Sequence, residues 1–230
     1  MARPDTDSDI SAKMSDYLVE IYRLSERSTD ENAYISTSAL ADLLDVTAPA
    51  VNRMVTRLKD LGLLTHEPYQ GIKLTDSGRR EALIRLRVHR TVEAFLGKVM
   101  GFQWHEVYDE ARRISGNLSE AVVRRMWEMA GEPDVCPHGE PIPEADGSLP
   151  PLDDVLLAEA QVNTHYAITR VLTREADRLS YLAALGLVPG AHLQLIHAAP
   201  FNGPLQLKLG DEYRIIGHNL AEAIRVHRLD

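Results

Sequence analysis

The stretch that most constrains this 230-residue chain is residues 47–62, Thr-Ala-Pro-Ala-Val-Asn-Arg-Met-Val-Thr-Arg-Leu-Lys-Asp-Leu-Gly. Val51, Met54, Val55, Leu58 and Leu61 recur at the spacing of one apolar helix face. Thr47 is an N-cap residue, Pro49 suits the first turn, where its missing N–H is no loss, and Gly62 can close the end. The opposite face carries Asn52, Arg53, Thr56, Arg57 and Lys59, all long or hydrogen-bonding side chains.

The flanks give this helix a context. Residues 36–46 read as a short capped helix with Leu40, Leu43 and Leu44 inward, and only a few residues separate it from the next. That connection fits a tight helix-turn-helix. Residues 63–75 read as two short strands around a Pro/Gly turn. Helix, turn, helix and hairpin in that order make a winged helix-turn-helix, whose second helix enters the major groove of DNA. The competing readings are a small helical subdomain with a solvated polar face, and a winged-helix protein-interaction module with a partner-binding barrel and no DNA binding.

Charge limits how DNA could be held. The formal net charge is −9, which argues against a non-specific polyanion binder. Residues 77–130 carry 10 Lys/Arg against 7 Asp/Glu, whereas the segments on either side are acidic. The footprint must therefore be local: Arg53, Arg57, Lys59 and Lys73 of the wing, giving few phosphate contacts per subunit and a modest salt dependence. Two subunits would double the contacts.

Residues 1–9 read as disordered and as no signal peptide, residues 10–27 as an amphipathic helix, and residues 26–33 as a polar connection. No apolar run reaches the ~18 residues of a spanning helix. The single cysteine, Cys136, fits a reducing cytoplasm. A long helix opens at residues 75–78 and runs to about Met100, and residues 104–114 and 118–130 read as two more, broken at Gly116. So much apolar helix surface predicts a helical dimer interface.

Residues 131–151 hold six of the twelve prolines and read as a linker. Beyond them, residues 166–172, 192–197, 204–209 and 213–216 alternate like half-buried strands, with a hairpin turn at Asn202-Gly203 and a helix over 175–185. The predicted fold is mostly α with a small β domain. Its parts are a winged helix-turn-helix over 1–76, a helical dimerisation and metal-site domain over 77–131, a proline-rich linker over 132–153, and a β-barrel over 154–230.

This layout resembles the diphtheria toxin repressor/manganese transport regulator family of metal-activated, homodimeric bacterial repressors. The likeness rests on residues 16–22, 40–44, 50–64 and 74–78, on His89-Arg-Thr-Val-Glu93 and Val107-Tyr-Asp-Glu-Ala111, and on Cys136-Pro-His-Gly-Glu-Pro-Ile-Pro143. Residues 182–190 are similar to the SH3-like domain of ferrous-iron transport accessory (FeoA) proteins. The resemblance implies a cytoplasmic repressor of metal-homeostasis genes, not an enzyme, that binds a double-stranded operator with Mn²⁺ or Fe²⁺ as cofactor. It places the DNA-reading positions on Thr47, Ala48, Pro49, Ala50, Asn52 and Arg53. These types suit phosphate, guanine and thymine-methyl contacts on half-sites ~34–36 Å apart.

The metal positions are altered. The primary set falls on Asp16, a competent ligand, and on Arg112, Ser115 and Gly116, which do not form a metal site, since arginine offers no lone pair and glycine no side chain. Arg112 could replace the metal as a fixed cation by pairing with Asp16, or simply point into solvent. The ancillary set falls on His89 and Glu93, one turn apart, and on Glu175, with Tyr108 and Arg178 in the other two places. These could hold Mn²⁺ or Fe²⁺, or His89 and Glu93 could share a surface hydrogen bond. His66-Glu67, His105-Glu106 and the Cys136/His138 pair read as structural. A hydrolase built on His89, Glu93 and Glu175 would lack a nucleophile–base pair and a phosphate loop.

Overall fold

A computed structural model describes residues 10–26 and 34–229, so the expectations for residues 1–9 and for most of 26–33 lie outside the described residues. The described chain forms two compact units: residues up to Arg87 with Pro143–Ser148, and Val88–Ile142 with the residues from Leu149 onward.

The first unit opens with α1 (Ala12–Ser25), capped by the Ser11 hydroxyl, which accepts from the Met14 N–H. Its inner face is Met14, Tyr17, Leu18, Ile21 and Tyr22, all buried. Ser36 caps α2 (Thr37–Leu44) by accepting from the N–H groups of Ser38 and Ala39. Asp45, in the left-handed region at φ 51°, ends α2, and the Val46 N–H returns to the Ala41 carbonyl at 3.1 Å. This closure makes the short turn into α3 (Ala48–Asp60). Val51, Val55 and Leu58 of α3 are buried, as the periodicity predicts. Leu43 and Leu61, expected inward, are 43% and 42% exposed, Leu43 in the last turn of α2 and Leu61 just past the end of α3.

The wing pairs β1 (Leu64–Glu67) with β2 (Gly71–Leu74), in register Leu64↔Leu74. At its base the Thr75 hydroxyl donates to the Gly62 carbonyl at 2.7 Å and accepts from the Gly78 N–H at 3.1 Å, which starts α4 (Asp76–Lys98).

The second unit takes over α4 from Val88 and adds α5 (Val107–Ile114), one 3₁₀ turn at Ser115–Asn117, and α6 (Glu120–Met129), the break falling where Gly116 predicts it. Val92, Leu96, Val107 and Ala111 form the buried helical core. The β domain contains β3 (Val155–Leu156), β4 (Thr164–Val171), α7 (Ala176–Ala184), β5 (His192–Ala198), β6 (Leu205–Leu209), β7 (Glu212–Ile216), α8 (His218–Ala221) and β8 (Ile224–Arg228). Its antiparallel sheet runs in the order β3-β8-β4-β5-β6-β7. Register shifts at Ile168/Arg170 and Leu195/His197 bend it around a core of Ile168, Leu179, Leu195, Leu207 and Val226. The hairpin expected at Asn202-Gly203 sits one residue earlier. Phe201 and Asn202 take the two positive φ angles, and the Gly203 N–H closes the turn on the Pro200 carbonyl.

Of residues 132–153, read as a proline-rich linker, the part up to Pro143 is packed instead, whereas most of 144–153 is exposed. Pro133, Cys136, His138, Glu140, Pro141 and Ile142 are buried. Val135 bridges Pro141, and the Ile142 N–H donates to the Asp134 carbonyl at 2.7 Å. Proline and glycine here shape a tight ordered loop, a use that composition alone does not separate from a tether.

Candidate metal centre and nucleic-acid interface

Along α4 a buried polar run, His89-Arg-Thr-Val-Glu93, stands where a surface helix would put charge into water. The partners come from the loop at 135–142. The Cys136 N–H donates to the Glu140 carbonyl and the Gly139 N–H to the Cys136 carbonyl, both at 2.9 Å, folding Cys136-Pro-His-Gly into a turn. Gly139 sits at φ 81°, and a Cβ there would lie 2.0 Å from the Thr169 carbonyl oxygen, so only glycine fits. The His138 carbonyl accepts from the Val171 N–H at 2.9 Å, anchoring the turn on β4.

The turn sets Cys136 Sγ 3.9 Å from His138 Nδ1. Glu93 Oε1 is 3.5 Å from His138 Nδ1 and 3.3 Å from His89 Nε2. Glu93 is 1% exposed, Cys136 3% and His138 0%. Among the described residues, Glu93, Cys136 and His138 are the one group of three His, Cys, Asp or Glu donors close enough together to hold a metal ion. The donors fit such an ion. Bonds of ~2.0–2.3 Å to one tetrahedral centre imply donor separations of ~3.3–3.6 Å, close to the distances found. Glu93 Oε1 and His138 Nε2 are buried without a well-formed hydrogen bond, and a buried carboxylate calls for a positive partner.

Electrostatics sharpen this. Burial alone would raise the Glu93 carboxyl, but His89 and His138 beside it outweigh that and hold it well below the ordinary range. Burial, with Glu93 and Glu140 nearby, pushes the Cys136 thiol well up. Next to the centre, Glu140 accepts from Arg90 Nη2 at 2.8 Å and from Arg174, tying α4 and the loop to the end of β4. Trp104 covers the site, its ring 5.9 Å from that of His138.

The set expected from sequence is thus brought together in part. His89 and Glu93 meet, buried rather than on a surface. Glu175 is instead exposed at the start of α7 and pairs with Arg178 at 2.8 Å. Tyr108 packs edge-on to His89 at 5.0 Å, and the Arg174 guanidinium lies 5.7 Å over the Tyr108 ring. Cys136 and His138, read from sequence as a structural turn, supply donors in that turn. Two side chains of ligand type on alternate residues, closed by Pro and Gly, were the available signal. Asp16 and Arg112 are exposed, Ser115 is buried, and Gly116 has open space around its Cα.

On the first unit, Thr47, Ala48, Pro49, Asn52, Arg53, Arg57 and Lys59 are exposed and Ala50 is half-buried. Thr47 stands at the N-cap of α3 in extended conformation, yet its hydroxyl makes no cap hydrogen bond, departing from the expectation. The Ala50 and Val51 N–H groups donate to the Thr47 carbonyl at 2.9 and 3.1 Å, and Pro49 has no N–H to offer. Among the described residues, Arg53, Arg57 and Lys59 form no ion pair, so their charge is uncompensated.

Three family models match the chain. The one described as the iron dependent repressor N-terminal DNA binding domain matches residues 9–72. The one described as the iron dependent repressor metal binding and dimerisation domain matches residues 75–144, and a FeoA domain matches residues 155–228. The iron-dependent repressor IdeR of Mycobacterium tuberculosis is 32% identical over 225 residues, covering 93% of this chain and 96% of that relative. The chain belongs to the iron-dependent repressor family. Another relative, the diphtheria toxin repressor of Corynebacterium efficiens, is 27% identical over 93% of this chain and 94% of its own length. Among solved structures, a manganese-dependent transcriptional repressor in complex with manganese is similar with a TM-score of 0.86 and 31% identity, covering 94% of this chain and 100% of that one. The IdeR of T. acidophilum is similar with a TM-score of 0.82 and 29% identity, over 94% and 97%. Among the described residues no helix is long and apolar enough to cross a membrane.

Proposed function

We propose that this chain is a homodimeric, cytoplasmic transcriptional repressor that binds operator DNA when a divalent metal fills the buried centre, and that it controls genes of metal homeostasis. The observation that carries this reading is the exposed, cationic, uncompensated face of α3 within a winged helix-turn-helix. Thr47, Ala48, Pro49, Ala50, Asn52 and Arg53 form the base-facing end, and Arg57 and Lys59 sit against phosphate. Dimerisation is supported by the match to the dimerisation domain and by exposed apolar side chains of the second unit, Ile114, Val122 and Met129 on its helices and Val99 and Met100 in the turn after α4.

Glu93, Cys136 and His138, with His89 adjoining, would hold the ion. The carboxylate and imidazoles suit Mn²⁺ and Fe²⁺ alike, and the thiolate favours the softer Fe²⁺. When bound, the metal supplies positive charge against Glu93. The protein's own part is to bring the loop at 135–142, α4 and β4 to one point. At the primary-type positions, Arg112 and Asp16 are both exposed and neither forms an ion pair among the described residues, which supports the reading in which Arg112 points into solvent over that of a fixed cation. The family is one of repressors, and no catalytic role is assigned to any residue.

The test is selection of duplexes from a randomised pool, then a mobility shift in chelator and in Mn²⁺ or Fe²⁺. Metal-dependent binding that Cys136→Ser and His138→Ala abolish is the expected result. Failure to enrich any sequence overturns the reading.

A further inference from the structure

The wing pairs β1 with β2 and ends in a tight turn. Glu67, Pro68, Tyr69 and Gln70 make a four-residue turn closed by the Gln70 N–H on the Glu67 carbonyl at 3.2 Å. Pro68 takes the second position, and Tyr69 the third at φ 65°. This is the pattern of a type II turn, whose third position favours Gly or Asn because a Cβ is strained there. Tyr69 is also fully exposed, at 108% of its reference area. A large aromatic residue therefore occupies a strained position with no contact in the fold to offset the cost, a mark of sites held for function.

The base beneath this tip is firm. Ile35 and Ile72 exchange backbone hydrogen bonds of 2.7 and 2.9 Å, adding a third segment beside the wing. A Cβ on Gly71 would lie 2.4 Å from the Ile35 carbonyl oxygen, so close packing extends to the residue next to the turn. From buried Leu64 to Glu67 the strand advances about 10 Å at roughly 3.4 Å per residue, and the tyrosine extends beyond that. β1 follows α3 directly, so the wing belongs to the unit that presents the reading helix.

We propose that Tyr69 is a DNA contact: its ring lies against the sugar–phosphate wall beside the groove that α3 enters, and its hydroxyl donates to a phosphate oxygen. Tyrosine is among the neutral side chains that position proteins on phosphate. Being uncharged, it adds affinity without counterion release and leaves the salt slope alone. The proposal rests on the DNA-binding reading above.

The experiment uses full-length protein in Mn²⁺ buffer and a duplex enriched from a randomised pool. Affinity is measured across a salt series for the parent, Tyr69→Gly, Tyr69→Phe and Arg53→Ala, with a melting temperature for each. Tyr69→Gly is expected to bind at least about fivefold more weakly, with an unchanged salt slope and an equal or higher melting temperature because strain is relieved. Tyr69→Phe is expected to fall between it and the parent. A Tyr69→Gly protein that binds within about twofold of the parent, or that loses affinity together with stability, overturns the proposal. A parent that enriches no sequence, or an Arg53→Ala protein that binds as the parent does, is a failure of the DNA-binding reading instead.

Discussion

Glu93→Gln keeps the shape of the buried centre and removes its carboxylate charge. In the metal-free protein the Glu93 carboxyl is held well below its ordinary value of 4.5, since His89 and His138 outweigh burial. A carboxyl lowered on folding binds fewer protons in the folded state. Its stabilising contribution is thus complete above the unfolded value and is lost as pH falls through the lowered one. The metal-free parent should lose stability on acidification below the ordinary carboxylate range, and Glu93→Gln should lose less. With metal the two part more sharply. Ion at about 100 times its dissociation constant adds about 2.7 kcal/mol to the parent, or about 5–11 °C in melting temperature at roughly 2–4 °C per kcal/mol. A change next to a metal ligand costs up to about 100-fold in affinity, a modest figure for losing a ligand's charge. At the same metal concentration the variant would then gain only about 0.4 kcal/mol, or about 1–2 °C. Both tryptophans, Trp104 and Trp127, lie in the second unit, so their fluorescence follows unfolding where the change is made. Equal metal-induced shifts in parent and Glu93→Gln would refute the assignment of Glu93 to the centre.

Other outcomes follow from the same contacts. Gly139→Ala, which drives a Cβ toward the Thr169 carbonyl, should destabilise by at least about 2 kcal/mol and weaken metal uptake, read by thermal melts and metal titration. Glu140→Gln leaves Arg90 and Arg174 facing a neutral group in a buried setting and should cost about 3–5 kcal/mol in denaturant unfolding. Leu58→Ala, at a fully buried position, should cost about 2–5 kcal/mol. Arg57→Ala should change stability by less than about 0.5 kcal/mol yet lower the operator-binding salt slope by about 1. The Cys136 thiol, pushed up by burial and then by Glu93 and Glu140, must lose its proton to ligate. Calorimetry in buffers of different ionisation heat should find about one proton released per metal at pH 7, a release absent in Cys136→Ser.

The helix-turn-helix was legible because several local signals coincide there. Ser36 caps α2, Pro49 lies in the first turn of α3, and Val51, Val55 and Leu58 mark a buried stripe that leaves the cations outside. The sheet was legible where alternation is long, as in β4 and β5, and the two-residue β3 was too short to register. The metal centre was only half visible. His89 and Glu93 are one turn apart on α4, but their partners are more than forty positions away in sequence, and no local spacing announces that approach. Proline and glycine in residues 131–151 raise the same composition signal whether they loosen a chain or fix it, and burial is what separates the two. Glu175 was assigned by its position relative to the family, whereas its partner in the fold is Arg178, one turn along α7.

The most direct test of the account is fluorescence anisotropy of an enriched duplex titrated with the parent protein, first in chelator and then in Mn²⁺ or Fe²⁺. The account predicts tight binding only with metal, lost on Arg53→Ala with Arg57→Ala and lost again on Cys136→Ser with His138→Ala. Affinity that is indifferent to the chelator and survives both pairs of substitutions would contradict it.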